Sequence, residues 1–308
     1  MKAHKKEDEM FRFAEYSAEA AERVGYSNYS YWKSVFRNFL KKKSAVVMSI
    51  IFILIVAFSF VATAIGKYNY ADLKSSMLEA FTSPNGEYWF GTDNLGRDYW
   101  CQVWYAAQVS IKLALLVAVG ECVVGIIIGC IWGYVRQADR ILTEVYNIIG
   151  NVPTIIYMTL IALMVGQSFF IMAVSLIAFG WLGMARNVRN LVMMYRDREY
   201  NLASRCLGTP IWRVLVKNIF PYLISMIILR LALSIPSTIA TETTLSYLGL
   251  GLDVNTPSLG LLLRNARSFF LQYPYLLVCP AVIVSLITIT FYLVGNAFSD
   301  AADPRNHV

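Results

Sequence analysis

Charged side chains lie inside apolar stretches of this sequence, where ionisable groups are expensive to bury and usually serve a function. Glu121 is about 12 residues from the start of one apolar run and Arg230 is about 8 residues from the start of another. Because the two runs are expected to cross the membrane in opposite directions, these are similar depths at 1.5 Å per residue. Two hypotheses stay open: the charges pair across a helix bundle, or they face an aqueous path. Glu242 and Lys112 lie near the ends of their runs, where long side chains can extend to the membrane surface.

A polar and basic segment, residues 186–221, separates two of the apolar runs and contains six arginines and one lysine against two acids. The glycine at position 208 predicts a break after a short helix over 200–207. Thr209 as a cap and Pro210 at the first helical position predict a second helix. A compact helix against the membrane surface suits docking to a soluble partner, and the alternative is an ordinary basic loop that fixes topology.

Several kinds of chemistry are excluded by composition. Both histidines, His4 and His307, lie at the termini, so none is available in the core for acid–base catalysis or metal ligation. The five cysteines show no C-x-x-C spacing, and no G-x-x-x-x-G-K-[ST] loop is present to hold ATP phosphates. The net charge of +7 comes from basic residues beside apolar runs, which argues against nucleic acid as a partner. We therefore predict no catalytic residue, metal or cofactor.

The elements that must position these residues are membrane-spanning helices. Hydrophobic residues make up 57% of the chain and the mean hydropathy is +0.52, above the usual values for soluble domains. The apolar runs are continuous rather than alternating, so they predict an all-α polytopic protein and not a barrel. Pro153 and Pro236 are expected to kink the third and fifth spans. Six transmembrane helices are predicted, at 44–66, 109–135, 141–165, 169–185, 222–245 and 276–298.

One face of the second span carries small residues at a spacing that allows another helix to approach closely. These residues are Gly120, Gly125, Gly129 and Gly133.

The distribution of lysine and arginine predicts the orientation of the spans. With the N-terminus inside, 20 of these residues lie on inner segments and 5 on outer ones, which supports cytoplasmic positions for both termini. Arg136 and Arg140 are expected to form a tight inner turn, and residues 186–221 an inner loop. No cleavable signal is expected, because about 43 polar residues precede the first span. The predicted organisation is a cytoplasmic segment 1–43, a first helix 44–66, an extracellular segment 67–107, a core 108–299 and a cytoplasmic tail 300–308.

The most distinctive part of the outer segment is residues 90–98, which read F-G-T-D-N-L-G-R-D. A structural interpretation makes this stretch a turn, capped by Asp93 and bent at Gly96, that leads into an interfacial helix. A functional interpretation makes it a contact for another protein.

These motifs together resemble the membrane permeases of binding-protein-dependent ABC importers, in the dipeptide/oligopeptide/nickel group and of the oligopeptide C or dipeptide C type. The cytoplasmic E-A-A-x-x-x-G motif of that family is present in degenerate form: residues 202–204 replace E-A-A, Gly208 matches, and Pro221 follows thirteen residues later. Asn218 and Phe220 stand where an isoleucine and a leucine are expected. The external motif G-T-D-x-x-G-R-D is complete, as Gly91, Thr92, Asp93, Gly96, Arg97 and Asp98.

The resemblance extends over about Phe90 to Arg305, and residues 245–260 and 300–305 also resemble their counterparts in the family. One departure lies after the external motif, where Gln102 and Gln108 occupy positions at which many members carry arginine.

The resemblance implies a type I ABC importer transmembrane domain in a bacterial or archaeal cytoplasmic membrane. Implied partners are a second, different permease, two ATPase subunits and an extracellular or periplasmic solute-binding protein. The implied substrate is a peptide, with nickel chelates or another small solute as the alternative. Glu121 and Arg230 are then candidates for the translocation path, where charged peptide termini would meet them. The implied ATPase-coupling residues are Tyr200, Ala203, Ser204, Arg205, Gly208, Pro210 and Pro221.

Two other classes of protein are less well supported by the residues. An ion-coupled secondary transporter often shows an inverted repeat or an acid–histidine relay, and neither is seen in this sequence. Uptake driven by an ion gradient without ATP would distinguish that class. An intramembrane enzyme would need a histidine or a pair of central aspartates, which the spans lack.

Overall fold

The computed structural model describes residues 31–65, 79–253 and 256–302, and these residues fold as a helical bundle. Predictions made for 1–30, 66–78 and 303–308 lie outside the described residues. The described helices are α1 (Tyr31–Lys41), α2 (Lys43–Ile65), α3 (Tyr99–Tyr134), α4 (Arg136–Gly150), α5 (Thr154–Val165), α6 (Phe169–Arg196), α7 (Glu199–Cys206), α8 (Ile211–Tyr247), α9 (Leu259–Ala266) and α10 (Tyr275–Ala302).

Five of these helices, α2, α3, α6, α8 and α10, are long and apolar enough to cross a membrane. The pair α4 and α5 makes a sixth candidate if its two parts count as one broken span. The all-α, polytopic fold class predicted from hydropathy is therefore confirmed. Continuous apolar runs must form helices because lipid offers no partner for backbone amides.

Helix α3 begins at Tyr99, ten residues before the predicted start of the second span at 109, so the helix is nearly three turns longer at this end. The helix begins there because the Asp98 carboxylate accepts hydrogen bonds from the backbone amides of Trp100 and Cys101. Asp98 is thus the cap of the helix, whereas Asp93 caps the turn that precedes it, by accepting from the backbone amides of Leu95 and Arg97. Burial raises the pKa of the Asp98 carboxyl, and these hydrogen bonds oppose the rise.

The third span is broken rather than kinked. Helix α4 ends at Gly150, α5 begins at Thr154, and the two axes are bent by 79° around Pro153. Proline cannot donate a backbone hydrogen bond and disfavours helical geometry in the residue before it, so the helix stops there. The expected tight turn at Arg136 and Arg140 is also corrected, because both residues belong to the first turns of α4.

Two helices divide the basic segment 186–221 differently from the prediction. Helix α6 continues through Arg196, and the short helix α7 follows at Glu199–Cys206. The predicted break is present, since Gly208 has φ +77°. Pro210 takes the cap position of α8 rather than its first helical position, which corrects the role expected of Thr209. A π-helical stretch, Val214–Ile219, leads into the regular part of α8, and Pro236 lies within that part.

The centre of the bundle is α3, which packs along α6 through the glycine face predicted from the sequence. A Cβ built on Gly129 would lie 2.6 Å from the Ala185 carbonyl oxygen, and one on Gly125 would lie 2.5 Å from the Met184 Cβ. The two backbones can approach this closely because these positions carry no side chain.

The bundle has two ends, which we name after the short helix at each. At the α7 end, α10 finishes beside the first turns of α8, where Ser299 Oγ donates to the Ser225 carbonyl oxygen (3.3 Å). Helix α1 packs against the last turns of α10 at the same end. At the α9 end, α3 and α10 begin side by side, where Tyr99 Oη donates to the Leu276 carbonyl oxygen (2.6 Å).

Candidate functional site

A cavity of about 420 Å³ lies at mid-height in the bundle, between α3, α5, α6 and α8. Both charges that the sequence placed inside apolar runs, Glu121 and Arg230, line it. Hydroxyl groups contribute much of the remaining polar surface, from Thr154, Ser234, Ser237, Thr238 and Thr241.

Glu121 and Arg230 have separate partners in the cavity wall. The Glu121 carboxylate accepts a hydrogen bond from Ser234 Oγ (2.5 Å), and the Arg230 guanidinium donates to Asn187 Oδ1 (3.2 Å). The carboxylate also lies against Gly180, where an added Cβ would clash with Oε1. Of the two hypotheses, the geometry favours charges that face a common path over a direct ion pair.

The two charges are held at different levels along the bundle. Ser234 follows Arg230 by four residues on α8, so the Glu121 carboxylate and the base of the Arg230 side chain are separated by about 6 Å along the axis. Arg230 is exposed, whereas Glu121 is partly buried. The cavity can therefore attract a cationic group at one level and an anionic group at the other.

At the α7 end, the buried Asn201 and the half-buried Asn218 hold the short helix α7 in place. Asn201 is fully buried; its Nδ2 donates to the Tyr195 carbonyl oxygen (2.9 Å) and its Oδ1 accepts from Asn218 Nδ2 (2.9 Å). Asn218 belongs to the π-helical stretch of α8, and its Nδ2 also lies 3.4 Å from Ser204 Oγ. Sequence reasoning missed these roles. The signal was present in the asparagine that replaces the family's isoleucine.

The residues predicted to couple to an ATPase lie on and around the exposed side of α7. Tyr200, Ala203 and Arg205 are exposed on the helix, and Gly208 follows in open space. Pro210 caps α8 and Pro221 lies just inside its regular part. Large apolar side chains are exposed beside them, from Leu202, Leu207, Ile211 and Trp212.

Three arginines of the basic segment serve the fold instead. Arg189 Nε lies 2.6 Å from Asp139 on α4, and its guanidinium stacks over Trp132 on α3. Arg196 donates to the Gly133 carbonyl oxygen (2.7 Å), and Arg186 lies over the ring of Tyr146. These contacts tie the last turns of α6 to α3 and α4.

The external motif forms a folded turn at the α9 end. Asp93 accepts from the backbone amide of Arg97 (2.9 Å), pairs with its guanidinium (2.8 Å) and accepts from Gln102 Nε2 (3.0 Å). Gly91 and Gly96 have φ of +73° and +70°, values that favour glycine. The geometry favours the structural interpretation, because every residue of the motif takes part in the turn itself through a hydrogen bond or a special backbone conformation. These residues are Gly91, Thr92, Asp93, Gly96, Arg97 and Asp98.

The glutamines that depart from the family pattern are buried and bonded within the chain. Gln102 contacts Asp93, as described above, and Gln108 Nε2 donates to the Ser59 carbonyl oxygen on α2 (2.8 Å). At both positions, therefore, an uncharged side-chain amide makes the hydrogen bond within the chain.

Glu242 is a correction to the sequence interpretation. It is 1% exposed, so its side chain does not extend to the membrane surface. Lys112 is exposed and its Nζ lies 5.5 Å from the centroid of the Phe60 ring.

Metal ligands are not grouped in the described part of the chain: no cluster of three or more His, Cys, Asp or Glu residues that could hold an ion occurs there.

Comparison with known proteins identifies the family. The model described as "Binding-protein-dependent transport system inner membrane component" matches residues 125–308, and "N-terminal TM domain of oligopeptide transport permease C" matches residues 30–84. A solved structure of the MetNI methionine ABC transporter, in inward-facing conformations, shares the fold with a TM-score of 0.54 at 15% identity. That likeness covers 65% of this chain and 96% of the solved one.

Curated relatives match along nearly their whole length. The oligopeptide transport system permease protein AmiD of Streptococcus pneumoniae is 37% identical, over 97% of this chain and 98% of its own. The oligopeptide permease OppC of Bacillus subtilis is 33% identical over 96% and 97%, and the dipeptide permease DppC of the same species is 31% identical over 97% and 93%. The chain therefore belongs to the family of binding-protein-dependent transport system inner membrane components, and it is a multi-pass transport permease rather than an enzyme.

Proposed function

We propose that this chain forms one half of the translocation pathway of an ATP-driven importer for oligopeptides or dipeptides. The observation that carries the substrate class is the identity along nearly the full chain with relatives named as oligopeptide and dipeptide permeases. The cavity between α3, α5, α6 and α8 can hold the solute. Its wall contains one carboxylate and one guanidinium group, which suit a solute that carries both a positive and a negative charge.

The two charges of the cavity act on opposite ends of a peptide. The Glu121 carboxylate attracts the terminal ammonium group and the Arg230 guanidinium attracts the terminal carboxylate. Hydroxyl groups elsewhere in the cavity wall can exchange hydrogen bonds with the backbone of any peptide, because they donate and accept without regard to sequence. Such a wall lets many peptides pass without holding one tightly.

Helix α7 transmits the conformational change driven by ATP hydrolysis from the ATPase subunit to the cavity. The exposed apolar and basic surface around Tyr200, Arg205 and Trp212 docks to one ATPase subunit of a pair, because this chain carries no phosphate-binding loop of its own. Asn201 and Asn218 tie α7 to α8, and the arginine contacts tie α6 to α3 and α4. A push on α7 is therefore transmitted to helices that line the cavity.

The complete transporter contains a second, different permease and a solute-binding protein at the α9 end. The α7 end and both termini face the cytoplasm of a bacterium or archaeon, as the distribution of lysine and arginine predicts.

The test is uptake of radiolabelled di- to tetrapeptides by a strain that lacks this chain, with and without the gene restored. Uptake should return with the gene, fail when cellular ATP is depleted, and persist when an ionophore collapses ion gradients. Competition by unlabelled peptides but not by nickel chelates should reduce it. Uptake that follows the ion gradient, or competition by nickel chelates alone, would contradict the proposal.

A further inference from the structure

We infer that Glu242 is a latch that holds the α9 end of the pathway closed, an inference that rests on the proposed transport function. Glu242 lies in α8 and is 1% exposed. It does not line the cavity of Glu121 and Arg230. Among the described residues, no ion pair includes it. Burial of an acid without a cationic partner is unfavourable unless hydrogen bonds replace those it would make to water.

The Glu242 carboxyl joins two helices through hydroxyl groups. Its Oε1 accepts from Ser246 Oγ (2.6 Å) on the same helix and from Ser258 Oγ (2.5 Å), which caps α9. Helix α9 is held in turn by α3, because the Leu259 backbone amide donates to Ser110 Oγ (3.1 Å). One carboxyl oxygen thus connects α8 to the helix that closes this end of the bundle.

Next to this junction, residues 249–252 form a plug at the α9 end of the cavity. Leu250 and Leu252 pack in one cluster with Met158 and Leu176, two side chains that also line the cavity. Met158 lines both this cavity and a smaller one that Leu250 and Gly251 also line, so its side chain connects the plug to the cavity wall.

Glu242 positions the plug through Ser246. A Cβ added at Gly251 would lie 1.9 Å from Ser246 Oγ, so the plug backbone rests directly on this serine. The hydrogen bond to Glu242 holds the serine hydroxyl in place. The same carboxyl lies against Gly260 of α9, where an added Cβ would be 3.1 Å from both of its oxygens. Movement of either the plug or α9 must disturb this group.

The latch is poised to open because its hydrogen bonding is incomplete. Glu242 Oε2 and the neighbouring Thr243 Oγ1 are buried and have no hydrogen-bond partner within 31–65, 79–253 and 256–302. A buried polar atom without a partner is unfavourable, so the closed arrangement carries a cost that exposure to water relieves. A fully satisfied network would instead make the closed state permanent.

The experiment uses Cys122, which lines the cavity, as a native reporter. The other four cysteines are replaced by alanine, and the complete transporter is placed in proteoliposomes. A membrane-impermeant maleimide is added on the α9 side, and the rate of Cys122 modification is measured at rest and during ATP hydrolysis with the solute-binding protein. The variants are Glu242→Ala, Glu242→Gln, Ser246→Ala and, as a matched control, Glu144→Ala, which removes an exposed carboxylate on α4.

At rest, Glu242→Ala should raise the modification rate by about tenfold or more, because it removes two hydrogen bonds that each favour the closed state by about two- to tenfold. Glu242→Gln keeps an acceptor oxygen at the same place and should stay near the parent rate, as should Glu144→Ala. A resting rate in Glu242→Ala equal to that of the parent would overturn the latch. If Glu242→Ala does not assemble, Ser246→Ala decides, since it removes one latch hydrogen bond and a single oxygen atom; an unchanged rate there overturns the latch too.

The parent protein separates this inference from the proposed function. Its Cys122 should become more reactive from the α9 side during ATP hydrolysis. Failure of that response would contradict the transport cycle itself, whereas a normal response together with silent latch variants would contradict the latch alone.

Discussion

Under the proposed function, the polar side chains of the cavity select the solute, and Glu121 is the residue with the largest expected effect. Its carboxylate is fixed by Ser234 and lies over Gly180, so its position does not depend on the solute. A fixed negative charge in a partly buried wall favours an ammonium group, because the attraction is stronger where water is scarce.

We expect Glu121→Gln to lower uptake of peptides with a free amino terminus by about tenfold, the order of one charged hydrogen bond. Uptake of the same peptides with an acetylated amino terminus should change little, because they carry no ammonium group. The measurement is competition between the two peptide series in cells. Glu144→Gln, which changes an exposed carboxylate elsewhere, serves as the control. An equal loss for both series would argue against the assigned role.

Gly208 matters for a reason that lies in the backbone. A Cβ at this position would meet no atom within 4 Å, yet φ is +77°. Crowding within this chain therefore does not explain the glycine, and the left-handed conformation does.

The variant Gly208→Val should reach the membrane at normal abundance but lose ATP-coupled uptake, because a β-branched residue strains the turn by about 1–2 kcal/mol or more and reorients α7. Immunoblots of membranes and uptake assays measure the two effects. Gly86→Val is the matched control, since its Cβ also meets open space and its backbone is not left-handed. Normal uptake by a well-expressed Gly208→Val protein would refute the coupling role of this turn.

At the scale of elements, the close packing of α3 against α6 positions the arginine contacts that join α6 to α3 and α4. Glycines on α3 bring the two backbones together, and the arginines at the end of α6 then reach α3 and α4. The basic segment read from the sequence as a loop is therefore largely a helix extension. Its positive charges were informative about topology, but half of the arginines serve packing.

Gly129→Ala should destabilise the folded transporter by about 1–3 kcal/mol, because the new methyl group meets the Ala185 carbonyl oxygen at 2.6 Å and a backbone must move. Thermal unfolding of the purified complex measures the loss. Gly150→Ala at the end of α4 is the control, since its Cβ has one neighbour at 3.9 Å. An unfolding temperature equal to that of the parent would show that the helices can separate without penalty.

At the scale of the whole molecule, the chain is built to be covered by other molecules. No residue of helix α4 is fully buried by the described part of the chain, and the α7 end exposes Leu207 and Trp212. Lipid or the second permease can cover the first surface, and an ATPase subunit the second. The orientation of the bundle decides which partner each end can meet.

The orientation can be tested with Cys206, which is exposed on α7. With the other cysteines replaced by alanine, a membrane-impermeant maleimide should modify it in inverted vesicles and leave it unmodified in intact cells. Asn94→Cys in a background without Cys206 should show the opposite pattern, because Asn94 is exposed at the α9 end. Modification of Cys206 from outside the cell would reverse the assigned topology.

The membrane-spanning class and the family follow from the sequence alone, whereas the ends of several helices do not. Long, continuous apolar runs must form helices in lipid, because only then are their backbone hydrogen bonds satisfied. The external motif is a local sequence pattern, so it can be recognised without knowledge of tertiary contacts. The glycine face of α3 and the break at Gly208 were also readable, because each depends on spacing or on a single residue type.

Only the tertiary structure decided what each buried polar group does. The sequence placed Glu121, Arg230 and Glu242 within or near spans, but it could not say which face of each helix meets which neighbour. Whether Glu242 reaches the surface or a serine on another helix depends on packing between residues far apart in the chain. For the same reason, the hydrogen bond between Asn201 and Asn218 could not be predicted from the sequence, since hydrogen bonds between helices depend on how the helices pack.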